Sequence, residues 1–151
     1  KSSAASDVYK RQVTNSASIT GAGLANPVTA TETVAPEAAP ALTINKSLSP
    51  TTVTENSRLT YTFTIQNTGN TAADAAAAIV ITDTFDPRLT DLTVTLNGTA
   101  LTAGTDYTYD GATFRTLTPL LIPAATYTRN ATTGEVTITP GMATLVVTGT
   151  V

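Results

Sequence analysis

The chain has 151 residues, of which 13% are charged and 41% hydrophobic; it carries a formal net charge of −3 and has no Cys, His or Trp. Without Cys there is no disulfide and no thiolate metal site, and without His the commonest general base is missing. The few scattered basic residues make no nucleic-acid footprint, and no apolar run approaches the ~20 residues of a membrane helix.

Length admits one ordinary domain plus a remnant, and the abundance of threonine points to β-structure, because β-branched side chains suit a pleated, half-buried surface. Residues 2–12, Ser-Ser-Ala-Ala-Ser-Asp-Val-Tyr-Lys-Arg-Gln, resemble the translation of a transposase-type sequencing adapter, residue for residue. Residues 1–12 are therefore set aside as a non-native scar. No signal peptide is visible, so the export signal and anchor of a surface protein would lie outside this stretch.

Residues 13–34 predict a hairpin. Val13, Asn15, Ala17 and Ile19 alternate on one face, Gly21-Ala22-Gly23 turns, and Val28, Ala30, Glu32 and Val34 alternate again. A lone hairpin is marginal in water, so it must pack on something. Residues 35–40 form a Pro/Ala linker that cannot join a ladder through its prolines, and the main domain is expected over 41–151.

Strand 42–48 ends at Ser49-Pro50. A long strand then places Leu59, Tyr61, Phe63 and Ile65 on one face and threonines on the other, up to the turn Asn67-Thr68-Gly69-Asn70. Alanines 75–78 suit one helical turn at most. Ile79, Ile81, Asp83 and Phe85 share a face before Asp86-Pro87; Leu92, Val94 and Leu96 share another before Asn97-Gly98, a type I′ hairpin pair. Tyr107 and Tyr109 precede a second such pair, Asp110-Gly111, and strand 112–117. Tyr127, a turn over 130–134, strand 136–139, the break Pro140-Gly141 and strand 143–151 complete the pattern. Short strands spaced by such turns predict an all-β fold, an immunoglobulin-like antiparallel β-sandwich.

Lys46 is the only lysine after residue 10. Period-two alternation puts it on the face of Leu42 and Ile44, where an ammonium is costly unless paired or consumed. Asp83 shares the phase of Ile79 and Ile81, and Asn15 that of Val13 and Ala17. A lysine, an acid and an asparagine are the ingredients of a spontaneous isopeptide bond. The reacting forms are a neutral amine and a protonated carboxyl, both favoured by burial. The plainer alternative has Lys46 reaching solvent at a strand end and Asp83 capping a turn before Pro87.

The combination Ile44-Asn45-Lys46-Ser47…Ser49-Pro50, Leu59–Asn70 and Ile81-Thr82-Asp83-Thr84-Phe85 resembles the tandem repeats of bacterial surface proteins known as "domain of unknown function eleven" repeats, and the related isopeptide-forming fimbrial and adhesin domains. The resemblance implies a cell-wall stalk of a Gram-positive surface protein, with neighbouring repeats as partners and a host or cell-surface ligand as a further one. It implies Lys46 as first-strand lysine and Asp83 as mid-domain acid. Asn15 corresponds to a terminal-strand asparagine, but of the preceding repeat: residues 13–34 would end one repeat, and 41–151 would begin the next and lack its last hairpin. Glu55-Asn56-Ser57 departs from the pattern, which has a Gly-containing turn there. Loop closure by such a crosslink is worth roughly 4 kcal/mol on the disulfide scale.

Asn67, in phase with Ile65, is a rival acceptor, although its Asn-Thr-Gly-Asn context favours a turn. Asp86, Asp91, Asp106 and Asp110 could offer oxygen ligands to calcium, but solvated turn acids are the simpler reading, and no cofactor or metal is expected. Asn45, Asn97 and Asn130 head N-x-Ser/Thr triplets, which are frequent by chance in a threonine-rich chain. Tyr107, Tyr109 and Tyr127 could line a glycan-binding face or form cross-strand packing pairs. Three functions compete: a structural stalk module, an adhesin binding module for glycan or host protein, and an accessory domain of a secreted enzyme. Catalysis by this chain is not expected beyond one autocatalytic turnover; neither nucleic acid nor membrane insertion is expected.

Overall fold

The computed structural model describes residues 13–35 and 37–151, with Val13 described in its backbone alone. The adapter-like stretch 1–12 lies outside the described residues. Two compact units result: one comprises Ala39–Thr126 with Thr139–Val151, and the other takes in the residue 13–34 hairpin with Tyr127–Ile138.

In the larger unit, β3 (Leu42–Ser49), β4 (Arg58–Asn67), β5 (Thr82–Thr84), β6 (Thr90–Leu96), β7 (Thr99–Ala100), β8 (Tyr107–Tyr109), β9 (Thr113–Thr116) and β12 (Gly141–Thr150) form two antiparallel sheets. One has the order β3-β4-β12-β6-β7 and the other β5-β9-β8. The first four strands of the larger sheet reproduce the A-B-E-D order of immunoglobulin-like sandwiches. The fold is an all-β sandwich of that kind.

Alternation decides what is buried. In β4, Leu59, Tyr61, Phe63, Ile65 and Asn67 are buried, while the threonines between them are partly exposed. Ala143, Leu145, Val147 and Gly149 of β12 are buried in the same rhythm, in register with Ile65, Phe63, Tyr61 and Leu59. Against this layer pack Ile81, Phe85, Phe114, Leu120 and Ile122 from the second sheet and its flanks. Tyr61 stacks on Phe85 at 4.7 Å between centroids, and Phe85 lies 5.9 Å from Phe114. Each fully buried side chain of this size stabilises by about 1.5–3 kcal/mol.

The turns follow local chemistry. Asn97 and Gly98 both have positive φ and join β6 to β7 as a two-residue loop, as a type I′ turn requires. At the second expected pair the turn sits one residue later. Asp110 N donates to Thr113 O, so Gly111 (φ +90°) and Ala112 are its centre. The cause is the Asp110 side chain, whose Oδ1 accepts from Ala112 N and Thr113 N at 2.9 and 2.7 Å. At the Glu55-Asn56-Ser57 departure, Asn56 adopts φ +64°, supplying the left-handed residue that glycine would otherwise provide. The alanines form one 3-10 turn, Ala75–Ala77, capped by Asp74 Oδ1.

In the smaller unit, β1 (Val13–Ile19) pairs with β2 (Val28–Val34), with Asn15 opposite Glu32, Ala17 opposite Ala30 and Ile19 opposite Val28. From Thr14 to Ala35 every residue is exposed. β10 (Thr126–Arg129) pairs with β11 (Val136–Thr139) across a turn in which Asn130 Oδ1 accepts from Thr132 N and Thr133 N.

Candidate functional site: Lys46 and Asp83 on the open side of the sandwich

β3 is an edge strand, and its register puts Leu42, Ile44, Lys46 and Leu48 opposite Asn67, Ile65, Phe63 and Tyr61, on the inward face. That face is nevertheless uncovered: Ile44 is 58% and Leu48 45% exposed. β5 is the edge of the other sheet. Between the two edges, Lys46 Nζ lies 2.5 Å from Asp83 Oδ2. The structure thus brings together two of the three residues expected to react.

The setting of the pair is asymmetric. Asp83 alternates inward between buried Ile81 and Phe85, and its Oδ2 is buried with no hydrogen-bond partner; the Lys46 ammonium is its charged neighbour. The Lys46 side chain retains 39% exposure. Its Nζ lies 4.7 Å from the centroid of the Tyr61 ring and 5.8 Å from that of Phe85, within cation–π range. Burial raises the Tyr61 hydroxyl pKa above the ordinary value, and the nearby Asp83 and Asp86 carboxylates add to the effect. That hydroxyl donates to Asp86 O at 3.2 Å. An amine, an acid and aromatic walls are in place; a carboxamide on a strand laid over β3 would complete the set.

Asn67 does not supply it. It is fully buried and pairs with Leu42, four residues along β3 from Lys46. Its Oδ1 accepts from Ala41 N and Gly69 N, each at 2.9 Å. Its Nδ2 donates to Thr71 O at 2.8 Å and Pro123 O at 2.9 Å. All its polar capacity serves the fold. Alternation places Asn45 with Thr43 and Ser47 on the outer face of β3. Asn15 is exposed on β1, opposite Glu32.

The remaining candidates are structural. Tyr107 is buried and lies 5.4 Å from the Phe114 ring, and the Tyr109 hydroxyl accepts from Leu89 N, so both tyrosines serve packing. Asp106 Oδ2 accepts from Thr102 N at 2.8 Å. Hydrogen bonding to the Thr113 and Ala112 amides holds the Asp110 carboxyl below its ordinary pKa.

A family model described as the Sgo0707 N2 domain matches residues 37–144. The chain belongs to that family. It is a domain family from surface-type proteins, in keeping with a bacterial surface-protein domain. The Sgo0707 N2 match takes in Lys46, Asp83 and Asn67, and the β1–β2 hairpin lies before it. Searches of curated proteins and of solved structures gave no match.

Proposed function

We propose that this Sgo0707 N2-type domain is a load-carrying stalk module of a bacterial, Gram-positive cell-surface protein, working outside the cell beside neighbouring modules, and that Lys46 is the nucleophile of an isopeptide bond which stabilises it. The observation that carries the reading is the Lys46–Asp83 contact on an otherwise apolar inward face. A half-exposed ion pair contributes little to stability in itself, so a reactive role explains better why Asp83 Oδ2 is buried against the Lys46 amine.

The chemistry is one turnover. Proton transfer from the Lys46 ammonium to the Asp83 carboxylate gives the reacting pair: neutral Nζ attacks the side-chain carbonyl carbon of an asparagine while the protonated carboxyl hydrogen-bonds its oxygen. The tetrahedral adduct collapses with loss of ammonia, Asp83 relaying the proton from the amine to the leaving nitrogen, and an Nζ–C amide remains. Asn15 is the acceptor candidate within this chain. The packing of Tyr107 against Phe114 and the bond of the Tyr109 hydroxyl to Leu89 N support the stalk reading over a glycan-binding face.

Intact-mass spectrometry under denaturing conditions tests this. Each bond, within or between chains, removes roughly 17 Da, one ammonia. We expect that loss in the purified chain and its absence in Lys46→Ala and Asp83→Ala. An unshifted mass in folded wild-type protein sinks Asn15 as the acceptor; in a chain extended through a further C-terminal hairpin it sinks the crosslink.

A further inference from the structure

We infer that Thr116 is a positioning residue for Asp83: its buried hydroxyl fixes the start of β5 and so sets where the carboxyl stands against the Lys46 amine. The inference deepens the isopeptide reading and takes its chemical meaning from it, while the placement itself holds whether or not an amide forms.

Asn67 and Thr116 are the buried polar residues among those described. Asn67 joins backbone segments around β4, whereas Thr116 acts on the strand that carries the acid. β5 has three residues, Thr82, Asp83 and Thr84, paired with Arg115, Phe114 and Thr113 of β9. Two further bonds close this short ladder. Phe85 N donates to Ala112 O at 2.9 Å, and Thr116 N donates to Ile81 O at 3.0 Å. In a regular antiparallel pair the return bond at the second end runs from Ile81 N to the opposite carbonyl. Here it goes to the Thr116 hydroxyl, whose Oγ1 accepts from Ile81 N at 2.9 Å.

The cause lies in the chain after Thr116. Leu117 N bonds Asp106 O at 2.7 Å, and Leu120 N bonds Ile79 O at 2.8 Å, so the β9 side is bulged and its regular ladder ends at Thr116. Without the hydroxyl, Ile81 N would be a donor left unpaired in the core, where Ile81 is 6% and Thr116 2% exposed. Thr116 therefore grips Ile81 at both its N–H and its C=O, two residues before Asp83.

That grip decides direction. Ile81 and Phe85 flank Asp83 on the inward face and hold β5 against the other sheet, but apolar packing is non-directional. Rotation of the strand about its own axis, which aims the carboxyl, is set by hydrogen bonds, whose geometry is narrow. Thr116→Val removes the acceptor while keeping the side chain's shape. An unpaired buried donor carries its full desolvation cost, so the start of β5 must move to find another acceptor, and Asp83 moves with it. A displacement of about 1 Å at a reacting group can slow a reaction by about 10²-fold.

Intact mass followed after cell-free synthesis of the full chain, together with crystal structures of the variants, tests this. Ammonia loss is expected to be about 10²-fold slower in Thr116→Val than in wild type, and Thr116→Ser, which keeps the hydroxyl, should restore the rate. Val94→Ala, a core truncation in β6 of the other sheet, should lower stability and leave the rate unchanged. In crystals of Thr116→Val the Asp83 carboxyl should stand out of hydrogen-bonding reach of Lys46 Nζ, and in Thr116→Ser within it. Should Thr116→Val not fold, an α-hydroxy acid in place of Ile81 removes the same bond without leaving an N–H unpaired, and the same displacement is expected. An unshifted wild-type mass counts against the crosslink alone, and the crystals then decide the placement. The inference is overturned if Asp83 keeps its place when the bond is removed, if Thr116→Ser behaves as Thr116→Val, or if Val94→Ala slows the loss as much.

Discussion

Tyr61 concentrates several forces in one side chain. It is 3% exposed, stacks on Phe85, donates to Asp86 O and faces the Lys46 ammonium. Burial and the neighbouring carboxylates oppose its ionisation, so its folded pKa lies above the unfolded value of about 10. The folded state then keeps its proton longer than the unfolded state. Stability is complete below pH 10 and falls as pH rises through the folded value. Urea unfolding between pH 9 and 12 should show this loss, and Tyr61→Phe should flatten it. The substitution also costs the bond to Asp86, about 1 kcal/mol at neutral pH. An unchanged pH slope in Tyr61→Phe would remove Tyr61 as the cause. Lys46 and Asp83 were legible at this scale, because a period of two sets facing without further knowledge. Tyr61's hydroxyl partner was not, since the Asp86 carbonyl approaches from the bend after β5, 25 residues on.

At the scale of elements, Asn67 joins three segments. Its four bonds tie the entry to β3, the turn after β4 and the loop at Pro123. Gly69 makes the junction possible: a Cβ there would lie 2.3 Å from Ala39 O. Asn67→Ala removes a fully buried side chain and leaves its four part-buried partners on all three unpaired, and we expect a loss of about 2–4 kcal/mol, since each unsatisfied group costs about 1–3. Denaturant titration would check it; a loss under 1 kcal/mol would mean that water replaces the side chain. The Asn-Thr-Gly-Asn run marked the turn correctly but said nothing of Pro123, 56 positions away. The same divide runs through the strands. Hydrophobic alternation located β3, β4, β6 and β12, while it left open which would be edges, because that depends on strand order. Ile44 therefore read as a core residue in the sequence, yet stands exposed beside Lys46. Asn15 likewise had an inward phase, but phase names a face and not what covers it, and Asn15 is exposed.

For the whole molecule, the strand order β3-β4-β12 has a mechanical meaning. β3 and β12 both run antiparallel to β4, so they point the same way on its two sides. Leu42 begins β3 at one end of β4, and Thr150 ends β12 at the other. Tension between Leu42 and Thr150 pulls along the strands, at right angles to the ladder hydrogen bonds, and loads many of them together in shear. Tension between Leu42 and Asn67, which are direct partners, peels β3 away one pair at a time. With no native cysteine, thiol handles can be placed at either pair of positions for single-molecule pulling. The first geometry should rupture at the higher force; equal forces would show that the ladder does not bear the load. The domain is thus stiff along one axis and yielding across another, and its resistance to being torn open depends on where it is held.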